Sequence, residues 1–254
     1  MINRLAFLKL VPAGALLLSK PTALFNNDTP EAGTQNKKLI YGNPLSSAKD
    51  IEGFKLEGQA KLSFENGRLR MQNELDPNLG QKSNFVFWCD QKFPDNISIS
   101  YKFLPLKEPG LAMLFFAANG KNKSDLFDRS LAKREGEYQQ YNRGEINAFH
   151  IAYFRRRYDT ERAFHLCNLR KSYGANMVAQ GADPIPNVED IMAPMEMRIE
   201  KTTKEVRFFI NDLPILNYSD DGKTYGDFLR EGYIGFRQMA PLIAEYWDLK
   251  VFAL

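Results

Sequence analysis

The sequence predicts an all-β protein, a two-sheet antiparallel β-sandwich. Short runs of β-forming residues recur throughout residues 39–254. Compact turn signals separate them, among them Glu65-Asn66-Gly67, Asn119-Gly120 and Asn211-Asp212. Few windows carry a helical period, and strands nowhere alternate with helices, so a parallel βαβ sheet is disfavoured. At 254 residues and 44 % hydrophobic composition, the chain can bury one large core.

The N-terminus reads separately. Residues 1–23 carry Arg4 and Lys9, then an apolar run from Leu10 to Leu18, then small residues. That is the layout of a signal peptide, and it predicts export to the periplasm or the extracellular space. An amphipathic N-terminal helix is the alternative. Leu5 stands where a twin-arginine signal would have its second arginine, so the export route stays open. The run is shorter than the roughly 20 residues of a membrane-spanning helix, so no membrane span is expected. Residues 24–38 form a linker, and its polar stretch N-N-D-T-P-E-A-G-T-Q-N is expected to be disordered.

Arg4, Lys9 and Lys20 of the leader account for the whole formal charge of +3. The remainder is balanced and has no global field for collecting nucleic acid or membrane surface. Arg155-Arg156-Arg157 is a local exception, but on a strand its side chains would point to alternate faces. The two cysteines, Cys89 and Cys167, lie in apolar runs. Export would permit a disulfide between them, and two buried thiols explain them equally well. No Cys/His spacing suggests zinc, and no cofactor is expected. Asp220-Asp221-Gly222 could contribute to a structural calcium site, although a plain turn is the better reading.

Taken in order, residues 61–64 and 68–72 flank the first turn as a hairpin. Residues 97–103 (I-S-I-S-Y-K-F) alternate strictly, and 111–118 form a continuous apolar strand. Residues 195–201, 206–210 and 213–218 follow as strands, and 233–237 and 246–253 close the chain. A helical turn is expected at 126–133. Two long loops, 119–147 and 171–194, combine aromatic, amide, carboxylate and basic side chains. Sugar sites need that mixture, with rings for the apolar faces of pyranoses and polar groups for the hydroxyls. Two merely solvated loops would look the same.

Eight ordered motifs add a resemblance. They are N-P-L-S-S-A-K-D (43–50), F-V-F-W-C (85–89), G-E-Y-Q-Q-Y (136–141), F-H-I-A-Y-F-R (149–155), N-L-R-K-S-Y-G (168–174), V-A-Q-G-A-D-P-I-P (178–186), Y-S-D-D-G-K-T-Y-G (218–226) and G-Y-I-G-F-R-Q-M-A-P (232–241). Together they resemble the YesU-like family over roughly residues 39–254. The resemblance implies a concanavalin A-like jelly-roll in a bacterial family of largely undefined function. It also implies a link to genes for degrading rhamnogalacturonan or other acidic glycans, so an oligosaccharide or polysaccharide is the expected partner. No catalytic assignment comes with it.

Strand parity sorts the two histidines. In 148–156, Phe149, Ile151, Tyr153 and Arg155 make the better core set, leaving Ala148, His150, Ala152, Phe154 and Arg156 on the other face. In 163–170, packing Cys167 and Leu169 inward turns Asn168 and Arg170 outward. It leaves His165 with the core set, as a structural residue or at a strand end. His150 is therefore the groove candidate.

A glycosidase needs two carboxylates roughly 5–9.5 Å apart. Glu196 and Glu200 on one strand would be about 13 Å apart, so they read as a solvated charge ladder. Glu135, Glu137 and Glu145 of the long loop could still supply a pair. A β-eliminating lyase needs a base, an acid and groups that stabilise an enolate-like charge. His150 as base, Tyr141 or Tyr153 as acid, and Arg170 with Asn168 or Gln180 as stabilisers meet those needs. Glu137, Arg155, Arg237 and Gln238 complete the expected substrate-binding set. A lyase acting on acidic plant or algal glycan fragments is preferred to a hydrolase, and a non-catalytic glycan-binding protein remains the third reading.

Overall fold

The alternation of residues 97–103 puts Ile97, Ile99, Tyr101 and Phe103 on one face, each no more than 3 % exposed. In the computed structural model, which describes residues 37–254, that face is one wall of the core. The signal peptide expected over residues 1–23 and all but the last two residues of the linker expected over 24–38 lie outside the described residues.

The first strands in chain order are β1 (Leu39–Asn43), β2 (Lys55–Glu57), β3 (Ala60–Glu65), β4 (Arg68–Asn73), β5 (Phe85–Phe93), β6 (Ile97–Lys107) and β7 (Leu111–Gly120). They continue as β8 (Ile146–Tyr153), β9 (Leu166–Ser172), β10 (Asn176–Ala182), β11 (Met195–Lys201), β12 (Glu205–Ile210), β13 (Leu213–Ser219), β14 (Gly232–Met239) and β15 (Ile243–Ala253). The first sheet runs β13-β12-β11-β6-β15-β4-β3, with β1 also pairing β15. The second runs β10-β9-β8-β7-β14-β5-β2. The all-β prediction of two antiparallel sheets therefore holds.

Turn chemistry sets the hairpins. Asn66 and Gly67 have φ of 53° and 69°, and Asn211 and Asp212 have φ of 49° and 63°. Two successive left-handed residues make the tight reversal that matches strand twist. On β11, Met195, Met197 and Ile199 face the core. Glu196 and Arg198 face outward, where Lys102 meets Glu196 at 2.6 Å and Arg198 meets Glu200 at 2.7 Å. This is the expected charge ladder.

Two strands of the second sheet are apolar on both faces because both faces are covered. On β7, Ala112, Leu114 and Phe116 enter the core between the sheets, while Met113 and Phe115 join a second cluster on the outer face. On β5, Phe85, Phe87 and Cys89 point inward, and Val86 and Trp88 point outward. Cys89 and Cys167 are both free and buried. Their strands, β5 and β9, are four positions apart in the sheet, about 19 Å at strand spacing. A disulfide needs Cα atoms within about 7 Å.

Two local expectations are corrected. Residues 126–133 make no helical turn: Asp125 and Asp128 take the amides of Phe127 and Ser130 at 2.8 Å, bending the chain into turns instead. A short helix, α1 (Gln139–Asn142), follows later in the same loop, and α2 (Asp159–Ala163) precedes β9. The second long loop contains the edge strand β10, weakly signalled because Gly181 interrupts it. That glycine is required, since a Cβ there would sit 2.1 Å from the Ile215 carbonyl oxygen.

Candidate functional site

Alternation on six strands brings the site together on the outer face of the second sheet, the face turned away from the core. Cross-strand registry builds two adjacent rows. Trp88, Gly235, Phe115, His150 and Arg170 form one, each paired with the next. Val86, Arg237, Met113, Ala152, Asn168 and Gln180 form the other. Gly235 is required in the first row because a Cβ would lie 2.3 Å from the Trp88 ring that crosses it. His150, Arg170, Asn168, Gln180 and Arg237, singled out from the sequence, thus share one face.

The loop between β7 and β8 folds over this face. Arg134 pairs with Glu57 at 2.7 Å, and Glu57 also accepts from Trp88 Nε1 at 2.9 Å. Leu126 and Tyr141 pack beneath the loop against Trp88 and Phe115. Tyr138, half-buried, puts its hydroxyl 2.8 Å from His150 Nε2. Ser172 Oγ lies 3.5 Å from the other ring nitrogen.

His150 is on the expected face but fully buried under this loop. Burial, with Arg170 and Arg237 adding to it, drives its pKa from 6.5 down to about 3, so the imidazole is neutral. Its direct access to a ligand is taken by Tyr138.

Arg237 is also fully buried and has no carboxylate partner among the described residues. Its Nη2 donates to Gln81 Oε1 at 3.1 Å and to the Gly136 carbonyl at 2.9 Å. Nε and Nη1 have no partner. Burial alone lowers its pKa to about 10, and its guanidinium carbon sits 5.4 Å from the Tyr138 ring centroid. A buried guanidinium with free donors is costly unless an anion is meant to meet it.

The remaining expected residues divide. Arg170, half-buried, donates to the Ala175 carbonyl at 2.8 Å, and the amides of Asn168 and Gln180 meet at 2.8 Å. Tyr141 lies at the site but is buried beneath the loop. Its oxygen accepts from Gly136 N at 3.0 Å, and burial pushes its phenol far up. Tyr153 faces the core between the sheets, 2.8 Å from the Tyr101 hydroxyl, and belongs to no outer-face site. Gln238 also points inward, donating to the carbonyls of Met71 and Leu242.

Phe154 departs from the parity expectation. Its φ of 46° resets the alternation, so it joins the core, and Arg155 turns to Glu161 at 2.9 Å beside the Asn168 row. Arg156 is buried against Asp183 at 3.2 Å and against His165 Nδ1 at 3.2 Å, so His165 sits at a strand end in a structural cluster. Of the loop carboxylates, Glu145 accepts the Ala132 amide, Glu135 pairs with Lys133, and Glu137 is half-buried in the covering loop. Asp220 binds Lys171 at 2.7 Å, and Asp221 accepts the amides of Lys223 and Thr224, so both serve a turn.

Sequence reasoning missed Tyr138, Gln81 and Glu57. Tyr138 lay within the G-E-Y-Q-Q-Y motif, where nothing ranked it above Tyr141. Gln81 and Glu57 carried no local signal, because each joins the candidate site only through contacts across the fold.

The fold and this covered outer face define a galectin-like jelly-roll sandwich. The chain belongs to the family described as "Domain of unknown function (DUF1961)", which matches residues 38–251. It is similar to the uncharacterized protein YesU of Bacillus subtilis, with 49 % identity over 212 residues, covering 84 % of this chain and 94 % of that one. A crystal structure of a Bacillus subtilis protein of unknown function with a galectin-like fold superposes with a TM-score of 0.82. Its identity is 48 %, over 85 % of this chain and 96 % of that one. The κ-carrageenase of Pseudoalteromonas carrageenovora, solved with an oligotetrasaccharide of κ-carrageenan, gives a TM-score of 0.53. There the identity is 10 %, over 89 % of this chain and 99 % of that one. The Emp46p carbohydrate recognition domain gives 0.55 at 13 % identity, over 84 % and 95 %. At such identities the likeness concerns the fold alone.

Proposed function

We propose that this protein is an exported carbohydrate-active protein that cleaves acidic glycan fragments by β-elimination at the outer face of the second sheet. The carrying observation is the buried Arg237, with two free nitrogens, beside the Tyr138–His150 pair. Carbohydrate-handling proteins that share the fold, κ-carrageenase and the Emp46p recognition domain among them, support the glycan class.

In this reading Arg237 and Arg170 receive the uronate carboxylate, and their charge stabilises the enolate-like intermediate. Tyr138 is the group that touches substrate. Its oxygen, acting as the phenolate beside Arg237, takes the proton α to the carboxylate, while His150 stays neutral and holds that oxygen in place through Nε2. The electron pair left on carbon forms the double bond as the glycosidic C–O bond breaks. The proton then passes from Tyr138 to the leaving oxygen. Asn168 and Gln180 hold neighbouring hydroxyls.

Binding without turnover is the second reading, favoured by the complete burial of His150 behind Tyr138. A panel of uronate-containing oligosaccharides separates the readings. Unsaturated products absorbing in the ultraviolet are the expected result. New reducing ends without that absorbance would indicate hydrolysis, and binding without either product would leave a glycan-binding protein. Export is tested by mass spectrometry, where an intact N-terminus on cytoplasmic protein would refute it.

A further inference from the structure

β8 carries the Tyr138 partner His150 on its outer face, and three residues earlier, about 10 Å along the strand, it carries Asn147 on the opposite face. Asn147 pairs directly with Asn119 of β7. Between Phe116 and Asn119 the register slips, with Ala117 at a φ of 50°. Bulges of this kind re-aim side chains near functional sites. Here the bulge directs Asn119 and Asn147 into a cleft of about 980 Å³ at one end of the sandwich. That is the upper range of small-ligand sites.

The lining is set for a ligand rich in hydroxyls. Asn119 Oδ1 is buried and has no partner, although its Nδ2 donates to the Glu231 carbonyl. Asn122, Asn147 and Asp227 also line the cleft, and none of their side chains makes a hydrogen bond among the described residues. Phe228 supplies an apolar wall, with its ring so close to Gly222 that a Cβ there would lie 2.7 Å away. Asn122 and Lys123 hold φ of 57° and 64°, an unfavourable backbone for lysine in particular.

Charge separates this cleft from the outer face. Lys92, Lys123 and Arg230 are balanced by Asp95, Asp227 and Glu231, whereas Arg237 and Arg170 have no acidic partner among the described residues. We propose that the end cleft is a second saccharide site, one that takes neutral sugar residues through Asn119, Asn147 and Asp227. This rests on the glycan reading of the protein but not on its catalysis. It gives the chain one seat for an acidic residue and another for a neutral segment.

The test is titration of the full chain with cellotetraose, xylotetraose and β-1,4-galactotetraose, followed by calorimetry and saturation-transfer NMR. At least one should bind, and Asn147→Ala and Asp227→Asn should each weaken it by about ten-fold. Arg170→Ala should leave that affinity unchanged. Asp227 is exposed, so its variant keeps the test open if Asn147→Ala does not fold. The proposal is overturned if none of the three binds at about 10 mM, if both variants bind as the parent does, or if Arg170→Ala abolishes binding. A uronate tetrasaccharide titrated in parallel tests the outer face separately. Its failure beside intact neutral binding refutes the proposed function and not the cleft.

Discussion

Replacing Arg237 by methionine removes a charge from a fully buried position while keeping a side chain of similar length. The depression of its pKa from 12.5 to about 10 corresponds to about 3 kcal/mol against the charged form, at about 1.4 kcal/mol per unit. Against this stand the two Nη2 hydrogen bonds to Gln81 and Gly136, each contributing about 1 kcal/mol. Gln81 Oε1 keeps Asn84 Nδ2 at 3.0 Å and Tyr138 N at 3.3 Å, so only the Gly136 carbonyl loses a bond of consequence. The balance is a gain of about 1 kcal/mol, or roughly 2–4 °C in Tm for a domain of this size. Uronate affinity should fall by about 10²-fold at the same time. Urea and thermal melts without ligand, followed by calorimetry with uronate oligosaccharide, read both quantities. A loss of more than about 2 kcal/mol would contradict this balance. It would make Arg237 a structural tie rather than a charge held for an anion.

Tyr138→Phe should lower turnover by roughly 10²–10⁴-fold and leave uronate affinity within a few-fold, since only the proton-carrying oxygen is lost; full activity in this variant would exclude Tyr138 from proton transfer. The unfolded chain protonates His150 near pH 6.5 and the folded chain only near 3, so below pH 6.5 the unfolded state binds more protons. Stability should therefore fall with acidification across that window, by up to about 1.4 kcal/mol per pH unit, and His150→Gln should flatten the dependence in urea melts from pH 7 to 4. Glu57→Ala strands the buried Arg134 and the Trp88 indole N–H, so it should cost roughly 2–4 kcal/mol and speed proteolysis within residues 121–145. Reductant should leave Tm unchanged, because Cys89 and Cys167 are separate thiols; a substantial drop would reveal a disulfide.

Much of the face was legible because strand parity is a local property. The alternation in β8 put His150 opposite Phe149 and Ile151, and that in β9 put Asn168 and Arg170 opposite Cys167 and Leu169. Parity failed where the backbone left the extended region: the left-handed Phe154 turned itself inward and Arg155 outward. It was not applied at Gln238, whose neighbours Ile234 and Phe236 share its inward face. The choice between Tyr141 and Tyr138 was beyond a strand argument, because the packing of a covering loop, not a period, decides which phenol meets His150.

Hydrophobic periodicity and turn residues act over a few positions, so the two-sheet architecture and the sidedness of β8 and β9 were legible in the sequence, and its ordered motifs carried the family. Only the tertiary structure decided that His150 and Arg237 are buried, that Tyr138 stands in front of them, and that Asn119 and Asn147 open into a separate cleft. Those facts depend on registry between strands far apart in the chain and on a loop pinned by Glu57, Arg134 and Trp88. Burial and the resulting pKa shifts arise from that long-range packing, which no local pattern encodes.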